Sequence, residues 1–213
     1  MLRLPLSIVS PSGARGRLSI LAYHRVVEQP DPLCPDLPSA AEFEERMRWV
    51  AGWFNVLPLA HGVSRLFNGT LPARALAITF DDGYADNEEL AAPILKHLGL
   101  TATFFVATGF LDGGCMFNDR VIEAIRGCRE SQLDLTSIGL EVYPMGSTSA
   151  RQRAIAAVLS GIKYLEPARR QDAAEAIATA AGASGVPRLM MRRDQVRSLR
   201  EQGMDVGAHT VSH

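Results

Sequence analysis

Asp81 and Asp82 stand side by side at the end of an apolar run, Ala75-Leu76-Ala77-Ile78-Thr79-Phe80, and Gly83 follows them. Near the other end of the chain, His209 and His213 lie four residues apart in His209-Thr210-Val211-Ser212-His213. One carboxylate with two imidazoles makes a three-donor set for a divalent metal and leaves a coordination position open. The remaining carboxylate is then available as a base toward a water at that position. Each motif also has a plainer use. Paired aspartates fill turns and cap helices, and histidines four apart line helix surfaces or sit in cores. Gly83 suits both readings, because it permits a sharp turn and the close approach of a ligand. The spacing does not match a calcium-binding loop, which needs oxygen donors at alternate positions.

The elements that would position these groups alternate in type. The run 18–23 reads as a strand that ends at His24, and a Pro-rich loop follows over 29–38. Ser39 with Glu42 three residues on forms a capping-box signal for a helix whose face carries Phe43, Met47, Val50 and Phe54. A short strand near 56–57 and a helix near 61–67 come next. The run 75–80 lacks polar alternation, as in a strand buried on both faces of a parallel sheet. A helix is expected over 86–98, kinked by Pro93 or carrying it near its first turns, with Asp86 or Asn87 as its N-cap. A strand over 102–107, a helix over 118–128, a stretch with strands inside 133–143 and helices over 150–165 and 167–181 continue the chain. A helix over 194–202 then leads into a strand over 204–208. Strands alternating with helices predict parallel βα units, and such folds gather their sites at the carboxyl ends of the strands. His24, the aspartate pair and His209 each follow a different predicted strand.

With 213 residues the chain suffices for one domain with a substantial core, and 47% hydrophobic and 21% charged residues fit a globular protein. A formal net charge of -1 argues against a nucleic-acid or anionic-membrane partner. Cys34, Cys115 and Cys128 are odd in number and lack metal-type spacing, so buried, inert thiols are expected and not a disulfide framework. No stretch is apolar enough for an integral membrane segment. Pro5 interrupts the mildly apolar start and Arg15 and Arg17 follow closely, which does not make a secretory signal and favours the cytoplasm.

Thr79-Phe80-Asp81-Asp82-Gly83 and His209-Thr210-Val211-Ser212-His213 together resemble the first two motifs of the NodB-homology polysaccharide deacetylases. The resemblance runs from about Leu18 to the end. It implies an α/β fold, a distorted (β/α) barrel of the NodB-homology type. On this reading residues 1–17 are an N-terminal extension, residues 18–213 form the deacetylase-like domain, and a helical insertion occupies about 147–185. The resemblance also implies that Asp82, His209 and His213 hold a divalent metal, Zn2+ in the first instance with Co2+, Ni2+ or Fe2+ as alternatives, and that Asp81 is the catalytic base. The substrate it implies is an N-acetylated glycan, from which acetate is released. Thr210 would support the site through the backbone or a ligand's outer contacts.

Tyr23-His24-Arg25-Val26 resembles an early Tyr-His motif of some members of the superfamily, which makes His24 the candidate acid for the leaving amine. The competing reading is a structural histidine with Arg25 on the surface. The family pattern continues past the second histidine with an Arg- and Pro-containing motif and further strands, so the resemblance implies a barrel incomplete at the C-terminus, in a fragment of a longer enzyme. Two alternatives stand beside the glycan deacetylase: an amidohydrolase of a small non-sugar amide, and a non-catalytic truncated fragment. A facial-triad iron oxygenase would use similar ligands but leaves the second aspartate unexplained.

Overall fold

All six residues of the apolar run Ala75–Phe80 are buried, and the run is the central strand of a parallel sheet. The structure, a computed structural model, describes residues 3–185 and 188–212. Seven strands are described: β1 (Leu18–Tyr23), β2 (Asn55–Val56), β3 (Ala75–Phe80), β4 (Thr103–Val106), β5 (Gln132–Asp134), β6 (Val142–Pro144) and β7 (Asp205–Ala208). The α-helices are α1 (Arg3–Val9), α2 (Ala40–Trp53), α3 (Leu59–Phe67), α4 (Ala92–His97), α5 (Phe117–Gly127), α6 (Thr148–Ile162), α7 (Pro167–Ala180) and α8 (Arg193–Glu201). Among the described residues no helix is long and apolar enough to cross a membrane.

The chain packs as two units. The first takes the described parts of 1–30, 37–112 and 189–213. Its sheet runs β1-β3-β4-β7, with β2 beside the start of β3, and every pairing is parallel. This is the α/β fold with a parallel sheet that the alternating pattern predicts. Among the described residues it forms an open arc, with β1 and β7 at the two ends of the path. Register places Tyr23 beside Phe80 and Phe80 beside Phe104. Their rings stack at 5.4 and 4.8 Å between centroids, and Phe43 from α2 meets Tyr23 edge-on at 5.2 Å. Phe43, Phe80 and Phe104 are fully buried, so these aromatic rings form the centre of the unit's core.

The helix signals in this unit are largely realised. Ser39 Oγ accepts from the Glu42 amide at 3.3 Å, and Glu42 Oε2 accepts from the Ser39 amide at 2.8 Å, the reciprocal pair of a capping box. The helix expected over 86–98 is divided. Asn87–Ala91 is a π turn that runs into α4. Pro93 lacks an amide and its ring presses on the carbonyl four residues back. A wider turn before it relieves that conflict without ending the helix.

The second unit takes 31–36 and the described parts of 113–188. It packs α5, α6 and α7 with the antiparallel hairpin β5–β6 around Val121, Ile125, Leu133, Val158, Ile162 and Ile177. Arg126 clasps both carboxylate oxygens of Asp31 at 3.0 and 2.6 Å, which ties the short 31–36 segment to α5. Cys115 and Cys128 are buried, and all three cysteines are free. Burial, with Asp119 nearby, pushes the Cys115 thiol up to about 12, so it is inert as expected.

The capping box yields a prediction. Ser39→Ala removes an acceptor from the first turn of α2 and is expected to lower unfolding stability by about 1 kcal/mol. Chemical denaturation followed by circular dichroism checks this. A loss below a few tenths of a kcal/mol would mean that water replaces the cap.

Candidate metal centre

Three strand ends converge on one edge of the first unit's sheet. The Asp81 amide donates to the Tyr23 carbonyl at 2.9 Å, which extends the β1–β3 ladder by one residue and sets Asp81 at the level of His24. The chain then turns sharply. Asp82 has φ 76°, in the left-handed region, and the Gly83 amide donates back to the Asp81 carbonyl at 3.0 Å. This is the rarer, strained form of γ-turn, adopted here by a residue type that tolerates positive φ. Gly83 also has positive φ, 85°, and a Cβ there would lie 2.8 Å from Val106 Cγ1, so no other residue fits the turn.

The turn buries Asp82, which is 4% exposed, and brings its Oδ1 to 3.6 Å from His209 Nε2. Two donors each about 2.1 Å from one tetrahedral ion would lie about 3.4 Å apart, so the separation suits a shared ligand sphere. Asp81 is half-buried beside Asp82, and His24 is exposed at the end of β1. His213 lies outside the described residues. Among the described residues no three His, Cys, Asp or Glu side chains form a cluster that could hold a metal. The structure thus brings together Asp82 and His209, with Asp81 adjoining in the chain and His24 alongside in register.

A second network anchors the His24 end of this edge, and the sequence did not reveal it. Arg25 Nε donates to Asp86 Oδ2 at 2.8 Å, and the Val26 amide reaches Asp86 Oδ1 at 3.4 Å. The Arg25 guanidinium lies 4.8 Å from the centre of the Tyr84 ring. Asn87 is fully buried and donates from Nδ2 to the His24 carbonyl at 2.8 Å. Asp86, expected to cap the following helix, makes no capping bond there. Its carboxylate ties the strand-end segment after β1 to the loop after β3. Arg25 is accordingly mostly buried and not a surface residue. Burial raises the Asp86 pKa from its ordinary value despite the opposing pull of Arg25.

Fold and site together define an α/β protein whose polar cluster crowns the carboxyl edge of a parallel sheet. The family model described as "Polysaccharide deacetylase" matches residues 68–213, and the chain belongs to that family. A protein of Bacillus subtilis (strain 168), YxkH, named provisionally as a polysaccharide deacetylase, is 33% identical over 92 residues, covering 42% of this chain and 32% of its own. The chain thus spans about a third of that relative's length. Among solved structures, the de-N-acetylase from Aggregatibacter actinomycetemcomitans is 19% identical with a TM-score of 0.47, over 90% of this chain and 54% of its own. The Streptococcus pyogenes deacetylase PplD, in complex with acetate, is 16% identical with a TM-score of 0.41, over 87% and 80%.

Removing Arg25 leaves a buried carboxylate without its cation, so Arg25→Ala is expected to cost about 3 kcal/mol at pH 8. The cost should shrink toward pH 5. Arg25 opposes the rise of the Asp86 pKa, so without it the folded pKa goes higher still, and the stability present while the carboxyl is protonated is lost as pH rises through it. Urea denaturation of both proteins at the two pH values checks this, and a pH-independent cost would show that the carboxylate is hydrated.

Proposed function

We propose that this chain carries the centre of a metal-dependent hydrolase that removes N-acetyl groups from an N-acetylated glycan, leaving a free amine and acetate. Family membership supports the reaction class. The observation that carries the site reading is the buried Asp82 carboxylate 3.6 Å from the His209 imidazole, with Asp81 next to it. Asp82, His209 and His213 are the residues that would hold the metal, and a carboxylate with two imidazoles suits zinc, with cobalt, nickel or iron as alternatives. Such an ion, when bound, polarises the acetyl carbonyl and makes water acidic enough to lose a proton near neutral pH.

The chain's own residues supply the remainder. Asp81 lies outside the Asp82–His209 pair and is less deeply buried, and it accepts the proton of the attacking water. Water oxygen bonds to the carbonyl carbon, the C–N bond breaks, and the nitrogen must gain a proton to leave as an amine. His24 donates that proton. Its exposure suits a group that must meet a polymeric substrate, and the Asn87 bond to its carbonyl fixes the main chain that presents it.

Two sets of variants test the reading. Asp82→Ala and His209→Ala should abolish tight zinc binding in isothermal titration, whereas Asp81→Asn should keep zinc and lose turnover by about 10²–10⁴, measured as acetate released from N-acetylglucosamine oligomers. Loss of zinc in Asp81→Asn would exchange the roles of the two aspartates. Acetate release from small acetamides with none from the oligomers would replace the glycan by a small amide.

His24→Ala should keep metal and fold but lose most turnover on an acetamide. The loss should be smaller on an activated acetyl ester, whose leaving group needs no proton. Equal losses on both substrates would give His24 a positioning role and leave the acid elsewhere.

A further inference from the structure

The carboxyl end of β4 lies between the two motifs and is hydrogen-bonded to both. Sheet order places β4 between β3 and β7, and its chain continues to pair after the strand itself ends. On the β3 side, the Ala107 amide donates to the Asp82 carbonyl at 3.0 Å, and Gly83 packs so closely on Val106 that a Cβ there would meet Val106 Cγ1 at 2.8 Å. On the β7 side, the His209 amide donates to the Val106 carbonyl at 2.8 Å. The Thr108 amide and hydroxyl both donate to the Thr210 carbonyl, at 3.2 and 3.3 Å, and the Gly109 amide donates to the Val211 carbonyl at 2.8 Å.

A Cβ on Gly109 would lie 2.5 Å from the Val211 carbonyl oxygen. That obstacle is backbone and cannot swing aside as a side-chain tip would. Gly109 does not have a positive φ, so its requirement is for space and not for an unusual dihedral. Thr210 itself is held at φ 60°, an uncommon conformation for a β-branched residue. Its carbonyl takes two of the Thr108 bonds, which gives the surroundings a means of holding the strained turn in place.

We infer that Val106–Gly109 is a backbone clamp that sets the separation of Asp82 from His209, and that Thr108 and Gly109 are positioning residues for the metal centre. The inference rests on the metal-centre reading above. Neither residue offers the metal a ligand. Each acts through the main chain of the segment that carries His209, as outer contacts act on ligand orientation in metal sites.

The test uses the whole chain with zinc ion alone as probe. Gly109→Ala is expected to weaken zinc binding by about 10–100-fold in titration calorimetry. Thr108→Val is expected to weaken it in the same direction, and Thr108→Ser, which keeps the hydroxyl, to restore it. Ser39→Ala, which removes the cap of α2 and leaves every hydrogen bond of the β4 extension in place, should leave zinc affinity unchanged and so separates positioning from general loss of stability. Amide exchange of the metal-free protein gives a second readout. Displacing Gly109 from Val211 should speed exchange of the residue-109 amide in Gly109→Ala by about tenfold or more, in proportion to the opening of that bond. Unchanged exchange overturns the clamp whatever the zinc result. Zinc affinity within twofold of the parent in Gly109→Ala overturns it as well, provided the parent binds zinc. If the parent binds none, the metal-centre reading fails, and exchange alone then decides whether the clamp exists.

Discussion

The register of β3 against its neighbours is the constraint on which the rest of the first unit depends. Tyr23, Phe80 and Phe104 come from three adjacent strands and stand at one level because the pairings place them there. Stacking of their rings makes that level the most expensive one to disturb. The residues that follow the first two rings are His24 and Asp81. A slip of one residue in any pairing would turn its side chains to the opposite face. The aromatic layer therefore fixes both the core and the height at which the polar groups emerge. The site begins where the stacked layer stops.

Above that layer the backbone accepts strain. Asp82 and Thr210 both have positive φ, one in each motif, and both strained turns are hydrogen-bonded to the same β4 extension. A γ-turn at Asp82 turns the chain within a single residue, which lets its side chain be buried and face His209 while Asp81 is still part of the sheet ladder. Strain of this sort persists only where the surroundings over-determine it. Here the surroundings are Val106 against Gly83 on one side and the Val211 carbonyl against Gly109 on the other, two contacts too close for any side chain at the glycines.

Most of the framework was legible because its signals are local. The apolar run 75–80, the Ser39–Glu42 capping box and the alternation of strands with helices each depend on a few consecutive residues, and each is present in the structure. The aspartate pair and His209 were legible as motif residues, and the structure brings Asp82 and His209 together. Two features were not legible. The Arg25–Asp86 pair joins residues 61 apart in the chain, and nothing at either position distinguishes a buried ion pair from a surface arginine and a helix cap. The π turn before Pro93 was hidden because a proline predicts a conflict but not the form of its relief. The lesson is specific to this edge: the motif residues stand out by type and spacing, whereas the contacts that hold the edge do not, because they join residues far apart in the chain.

Two neighbouring carboxylates of identical chemistry cannot take different roles unless the fold separates their surroundings. Here the separation comes from one dihedral. Asp81 ends the ladder, its amide bound to the Tyr23 carbonyl, and it keeps partial access to water. Asp82 turns through positive φ, loses nearly all access to water and gains an imidazole at 3.6 Å. A buried carboxylate beside an imidazole is suited to holding a cation, because desolvation strengthens that attraction and makes an unpartnered charge costly. A carboxylate still open to water is suited to accepting a proton, because it must meet the water that gives it up. Under the proposed function the division of labour follows from this geometry, and Gly83 makes it possible by giving the chain room to turn against Val106.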